Sequence, residues 1–364
     1  MAAAPMEVTE ISAGRHPVVL GRDALRALDR KLGQEDYSAA FILGDENTLR
    51  HCLPELLAQV PRLREARTLL VPPGERSKDL AVSTDIWRHL AEEAADRHAL
   101  LVCLGGGVVT DLGGFVAGTY KRGIRCVHVP TSLMGMVDAA IGGKTGVDLV
   151  GLKNMVGVFH DPLAVYVHLP FLKSLGKREL LNGLAEMIKH GLVRDAQLWT
   201  DISGATLHDI DALTPLVERS ATVKAEVVKA DPREEGLRKV LNFGHTIGHG
   251  IEAHSWESPQ RMLLHGEAVA IGMVCEAWLS WRMDLLTRED YDRITEQLLA
   301  LYKPYQFDSA DNHRLIELMR NDKKNSAGQF RFTLLTGIGQ AKVDVHVTAA
   351  QVQEALEHYR LLVR

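Results

Sequence analysis

Leu100–Tyr120 reads LLVCLGGGVVTDLGGFVAGTY. Leu100–Leu104 is a short, unbroken apolar run ended by glycine, the pattern of a strand buried on both faces. Thr110–Tyr120 then reads as a helix with Asp111 in its first turn. Gly105, Gly106 and Gly107 lie between them, at a strand's carboxyl end, where parallel sheets bind ligands. With no side chain in the way, their backbone N–H groups can approach a pyrophosphate, and a helix N-terminus favours negative charge. The spacing is not GxGxxG, and a plain turn uses the same glycines. Position after a central strand favours the nucleotide.

The pattern repeats outward from this unit. Val18–Leu20, Ala40–Gly44, Thr68–Val71, Arg125–Pro130 and Ala164–Val167 read as strands, and Asp23–Leu32 and Leu80–Ala95 as helices. Strand–helix alternation predicts a Rossmann-like α/β domain with a mostly parallel sheet over residues 1–172. Asp45 and Asn47 follow the second strand, where an acidic residue can hold ribose hydroxyls. Glu75 and Lys78 follow the third. Each alone also reads as an ordinary solvated loop residue. His160–Leu172 reads as a hinge. Beyond it Glu179–Val193, Leu213–Ala230, His245–His254, Gly266–Trp281 and Glu289–Leu301 carry helical periodicity. They predict an all-α C-terminal domain, 173–364, for metal and substrate. Phe330–Leu335 is a short β-like patch, a candidate hairpin.

Composition narrows the class. The chain has 364 residues, 46% hydrophobic, too long for one ordinary core. Its net charge is −5 and no basic block stands out, so no nucleic-acid surface is expected. An anionic ligand must therefore be held by local lysines and arginines. Cys52, Cys103, Cys126 and Cys275 are scattered without a CxxC, as buried thiols of a reducing compartment are. The first residues lack the basic and apolar regions of a signal peptide, and no apolar run reaches the ~18 residues of a membrane span. A soluble cytoplasmic protein is expected.

Arg238–Glu267 reads RKVLNFGHTIGHGIEAHSWESPQRMLLHGE. His245 and His249 are four apart and share one helical face. His265 follows at a distance, and no cysteine is near. Histidines that pack or cap would give the same letters. A nitrogen- and oxygen-rich set suits a catalytic Zn²⁺ better than a structural one.

The runs GGGVVTDLGGFVAGTYKRG, VPTSLMGMVDAAIGGKTGV, LKNMVGVFHDP, LAEMIKHG, VKAEVVKADPREEGLRKVLNFGHTIGHGIE and LHGEAVAIGM resemble the 3-dehydroquinate synthases, a branch of the sugar phosphate cyclases. The likeness extends from about Asp45 to Asn325. It implies a dehydroquinate synthase-like fold, NAD, and Zn²⁺ with Co²⁺ as the alternative. It also implies a small sugar phosphate as substrate and a homodimer. The implied metal ligands are Glu186, His245 and His265, which moves His249 from the metal to the substrate side. Asp138, Lys144, Lys189, Glu234 and His249 are the implied catalytic residues. Lys153, Asn154, Lys224, Arg238 and Asn242 would bind substrate, the last three at its carboxylate end. Arg122 would reach a phosphate across the dimer interface, and Lys323 or Lys324 would face the same phosphate. NAD would lie on Asp45, Asn47, Glu75, Lys78, Gly106, Gly107, Asp111, Thr131, Ser132, Lys144, Lys153 and Ser174.

Some positions depart from the commoner pattern of that family. PTSL stands for PTTL at Ser132, Ser174 stands for a threonine, and MVDAAIGG lacks two hydroxyls beside Asp138. The implied reaction converts 3-deoxy-arabino-heptulosonate 7-phosphate to 3-dehydroquinate and phosphate. Rival readings are a cyclase making a valiolone or an inosose, a zinc polyol dehydrogenase that releases NADH, and a non-catalytic NAD-binding protein. Lys224, Arg238 and Asn242 speak against the first, and the phosphate-facing lysines against the second. The intact Glu186, His245 and His265 set speaks against the third.

Overall fold

The computed structural model describes residues 7–149, 152–204, 209–320 and 330–364. The chain forms two compact units. One comprises Met1–Gly176 with Leu207–Pro232, the other Lys177–Thr206 with Arg233–Arg364.

The first unit contains β1 (Thr9–Ser12), β2 (Pro17–Leu20), β3 (Ala40–Asp45), β4 (Arg67–Val71), β5 (Leu100–Gly105), β6 (Arg125–Pro130), β7 (Lys144–Leu149), β8 (Leu152–Phe159) and β9 (Val165–Val167). Seven of these make one sheet in the order β1-β2-β9-β6-β5-β3-β4. Only β1 runs antiparallel to its neighbour; the other pairings are parallel. The chain steps outward from β3 to β4, then back past β3 to β5, so the order reverses between β3 and β5. That switch point opens a crevice at the ends bearing Asp45 and Gly105.

The β5 strand is buried along its whole length, as its unbroken apolar run requires. The helix Gly107–Thr119 lies on it through Leu112 and Val116, both 0% exposed. Gly113 and Gly114 allow this close approach. A Cβ on them would stand 2.3 Å from Cys103 Sγ and from Thr145 Cγ2. The expected strands and helices appear with ends shifted by no more than three residues, and Arg125–Pro130 is unshifted. The hairpin β7–β8 was not expected, because its glycine-, lysine- and asparagine-containing sequence has poor strand propensity. The backbones close where Gly146 pairs with Gly157; a Cβ on Gly157 would meet Thr145 O at 2.4 Å.

One long helix departs from the single boundary expected at 172/173. Ile210–Ala230 packs within the first unit, against β1, β2 and the π-helical turn Gly135–Ala139. Its periodicity announces an apolar face but not which partner covers it.

The second unit holds the helices Lys177–Arg194, Ala196–Ser203, His245–Trp256, His265–Arg282, Arg288–Leu301, Asp311–Arg320 and Ala349–Leu362. It is not purely α. An antiparallel hairpin, β10 (Phe330–Gly337) and β11 (Gln340–Val347), grows from the patch noted in the sequence. Phe330, Phe332, Leu334 and Leu335 turn inward and are buried. The helix His265–Arg282 is apolar all round and central, with every residue from Ala268 to Ser280 buried. Among the described residues no helix is long and apolar enough to cross a membrane.

Candidate active site

The three histidines meet in the second unit. His245 opens one helix and His265 opens another, so each ring projects from a first turn. Two devices hold these helix starts. Glu276, fully buried on the His265–Arg282 helix, accepts Gly244 N at 2.6 Å and Ile247 N at 3.0 Å. A carboxylate there satisfies first-turn donors and complements the helix dipole. At the other start Asn182 Oδ1 accepts Gly266 N at 2.6 Å, and Glu267 accepts Leu264 N at 2.8 Å. Arg178 grips Glu267 with two bonds, 2.8 and 2.7 Å. Glycines bring the two helices together: a Cβ on Gly272 would lie 1.9 Å from Gly244 O.

Glu186 comes from the Lys177–Arg194 helix and is fully buried. Its Oε1 lies 3.5 Å from His245 Nε2 and 3.6 Å from His265 Nε2. A tetrahedral ion with bonds of ~2.0–2.2 Å keeps its donors about 3.3–3.6 Å apart, so this set fits Zn²⁺ or Co²⁺. Lys189, one turn on, hydrogen-bonds Glu186 Oε2. His249 completes a trio in which ring nitrogens of His245, His249 and His265 lie within 4.8 Å of one another. Spacing and resemblance gave two different ligand sets, and both sets are close together here. Burial, reinforced by the charge of Lys189, holds His245 well below the usual imidazole pKa, so it is a neutral donor. Its Nδ1 faces Phe243 O at 3.1 Å, which leaves Nε2 for the cluster.

Arg238 and Asn242 lie on the turn Leu237–Asn242 of the same unit, and Arg238 is only 3% exposed. The β10–β11 hairpin braces this turn. Thr333 Oγ1 donates to Lys239 O at 2.8 Å, and Lys239 Nζ meets Asp344 at 2.9 Å. Asn242 Nδ2 donates to Glu234 Oε1 at 2.8 Å. Glu234 adopts a left-handed φ of 61°, uncommon for a glutamate.

The first unit gathers the nucleotide-side residues. Asp45 ends β3 and caps the next helix, its Oδ1 accepting Asn47 N and Thr48 N at 2.9 Å. Gly106 caps the helix beginning at Gly107. A Cβ there would stand 3.0 Å from Ser132 Oγ, and one on Gly107 would stand 3.0 Å from Ala139 Cβ. Thr131 N donates to Gly105 O at 3.0 Å, joining that loop to the end of β6. Ser174 donates to Phe171 O at 2.9 Å and also bonds the Cys52 thiol, which places it near the helix capped by Asp45. Burial pushes that thiol up to about 11.

Buried Lys78 and partly buried Asp111 form a hydrogen-bonded pair. Burial opposes the charge on Lys78, but Asp111 and Glu75 outweigh it and hold the amine above its usual value. Lys78 O accepts Asp148 N, and Asp148 Oδ1 accepts Asn154 N, both at 2.8 Å. Lys153 Nζ lies 3.4 Å from Glu75 Oε1. The unexpected β7–β8 hairpin thus carries Lys144, Lys153 and Asn154, and it is tied to the loop that follows β4 through Lys153 and Asp148. Lys224 Nζ donates to Asp138 Oδ1 at 2.6 Å, from the helix Ile210–Ala230 to the turn Gly135–Ala139. Lys224 therefore belongs with Asp138 in the first unit, whereas Arg238 and Asn242 belong to the second. Arg122 is exposed in a left-handed turn with φ 70°. Lys323 and Lys324 lie outside the described residues.

The sequence reading missed Glu252 and Glu276. Glu276 had a visible signal, one acid inside the apolar run AVAIGMVCEAWLS. Glu252 lies seven residues after His245, on the same helical face.

Known proteins resemble this chain along most of its length. The family described as 3-dehydroquinate synthase N-terminal matches residues 68–182, and the one described as 3-dehydroquinate synthase C-terminal matches 183–325. A 3-dehydroquinate synthase of Parabacteroides distasonis is 42% identical over 94% of this chain and 97% of its own. Among solved structures, 2-epi-5-epi-valiolone synthase of Streptomyces hygroscopicus, with NAD⁺ and Zn²⁺ bound, is 27% identical. It covers 100% of this chain and 99% of its own at a TM-score of 0.84. A 2-deoxy-scyllo-inosose synthase complexed with carbaglucose-6-phosphate, NAD⁺ and Co²⁺ shares the fold, with a TM-score of 0.85 at 22% identity over 96% of this chain and 99% of its own.

Proposed function

The chain belongs to the 3-dehydroquinate synthase family, and from that premise we infer how its residues carry out the family's reaction. The enzyme is a carbon–oxygen lyase. It converts 3-deoxy-arabino-heptulosonate 7-phosphate to 3-dehydroquinate and inorganic phosphate, by transient oxidation, phosphate elimination, re-reduction and aldol closure. The observation that carries the reading is the approach of both His245 Nε2 and His265 Nε2 to Glu186 Oε1, at 3.5 and 3.6 Å, the separation of two donors on one tetrahedral metal.

Each group answers a need of the substrate. The proton beside an unactivated alcohol is too weakly acidic to remove, so the alcohol is first made a ketone. Asp45, Asn47, Glu75, Lys78, Gly106, Gly107, Asp111, Thr131, Ser132 and Ser174 would hold NAD⁺, which would supply a reversible oxidation with no net turnover of the nucleotide. Glu186, His245 and His265 would hold Zn²⁺, which would supply Lewis acidity toward the reacting hydroxyls. Lys144, Lys153, Asn154, Arg122 and a lysine of Lys323–Lys324 hold the phosphate, with Arg122 contributed to the neighbouring site of a homodimer. Arg238 presents a planar fork to the carboxylate, and Asn242 and Lys224 are the further residues directed to that end of the substrate. His249 and Lys189, next to the metal ligands, exchange protons with the substrate hydroxyls; Asp138 and Glu234 orient Lys224 and Asn242 through the bonds described above. The carboxylate-directed residues favour this substrate over the carboxylate-free sugars of the other cyclases.

The test supplies the heptulosonate phosphate, Zn²⁺ and substoichiometric NAD⁺, and follows phosphate and NADH absorbance together. Many turnovers of phosphate without accumulating NADH are expected. Stoichiometric NADH with no phosphate would identify a dehydrogenase instead.

A further inference from the structure

We propose that Glu252 is a positioning residue that fixes the tautomer and ring orientation of His265, and so sets the affinity of the metal site. This rests on the reading of Glu186, His245 and His265 as metal ligands.

The helix His245–Trp256 places His245, His249 and Glu252 at intervals of four and three, along one face. Glu252 is 2% exposed. Its Oε2 lies 3.2 Å from His265 Nδ1, while His265 Nε2 points to Glu186 Oε1 at 3.6 Å. A carboxylate facing a neutral imidazole can only accept. The proton therefore sits on Nδ1, and the single lone pair lies on Nε2, toward the other donors. His245 obtains the same tautomer from a backbone carbonyl, Phe243 O at 3.1 Å. Between these two ligands the orienting acceptor on His265 is the one a substitution can remove. Outer acceptors of this type typically change metal affinity by ~10–100-fold when lost.

Zn²⁺ affinity is measured on full-length, metal-stripped protein by competition with a chromophoric chelator, alongside thermal melting of the metal-free forms. Wild type, H265A, E252A and E252Q are compared. Glu252→Ala is expected to bind one Zn²⁺ per chain ~10–100-fold more weakly. Glu252→Gln keeps a carbonyl that can accept from Nδ1 and should recover part of the loss, with an unchanged metal-free melt. Wild-type affinity in E252A, or E252Q no tighter than E252A, overturns the proposal. If E252A does not fold, Glu252→Asp takes its place. It keeps the buried charge but withdraws the acceptor by about one C–C bond, ~1.5 Å, and wild-type affinity there would be equally fatal. Undiminished binding in H265A would instead overturn the ligand assignment itself, leaving the role of Glu252 without a subject.

Discussion

Replacing Gly272 with alanine tests whether helix contact sets the metal geometry. The new Cβ would stand 1.9 Å from Gly244 O and 2.7 Å from Gly248 N, whereas ordinary contact begins at 3.4 Å. Both atoms are backbone, so no side chain can swing aside. Relief needs the helices to separate by about 1.5 Å, which moves His245 and His249 away from His265. Metal–ligand distances tolerate only about ±0.2 Å. Zn²⁺ affinity should fall by more than ~100-fold, beyond the usual loss of an outer-shell group. For stability, a helical alanine gains ~1 kcal/mol over glycine. Overpacking loses ~1–3 kcal/mol, and backbone obstruction puts this site at the upper end. The net expectation is a destabilisation of about 2 kcal/mol. Chelator competition and urea unfolding measure both effects. Gly204→Ala is the control, since a Cβ there meets nothing closer than 4.0 Å. If Gly272→Ala bound Zn²⁺ as tightly as that control, the close crossing would not be what spaces the ligands.

Three further outcomes are expected. His249→Ala should retain Zn²⁺ by elemental analysis while losing turnover; loss of the metal would make His249 a ligand, as helix spacing alone suggested. Arg238→Ala should lower kcat/KM for the heptulosonate phosphate by about 30- to 4,000-fold, from the ~2–5 kcal/mol of a buried charge pair. It should do much less to sedoheptulose 7-phosphate, which has no carboxylate, and equal losses would make Arg238 structural. His128, buried beside His16 and His160, is pushed down from 6.5 to about 3. The unfolded chain therefore binds this proton first, and stability should fall as pH drops from 6.5 toward 3, by up to ~1.4 kcal/mol per unit. Urea unfolding of His128→Leu should show a shallower acid slope, and an unchanged slope would refute the assignment.

The sheet was readable because burial on both faces leaves unbroken apolar runs, as at Leu100–Leu104. The nucleotide crevice followed from glycines at a strand end. Long-range pairing was less visible. Nothing in the periodicity of Ile210–Ala230 says that its apolar face returns to the first unit, where Lys224 meets Asp138. The β7–β8 hairpin hid because Gly146 and Gly157 favour it by close backbone approach, which strand propensity does not record. For the candidate metal centre, residue spacing pointed to His245, His249 and His265, which do lie together. Glu186 entered through family resemblance, since its 59-residue separation from His245 carries no local pattern. Glu252 and Glu276 act through hydrogen bonds that only the folded helix pair creates.

The chain passes between its two compact units three times: after Gly176, between Gly204 and Asp209, and after Pro232. This wiring limits how the gene can be recombined. One crossover at 172/173 would join one parent's strands to the other parent's Ile210–Ala230 helix. The inward side chains of that helix, among them Leu213, Val217, Ala221 and Ala225, are almost completely buried. They would meet strands that had never been selected to receive them. Exchange of whole units between relatives therefore requires three junctions at once.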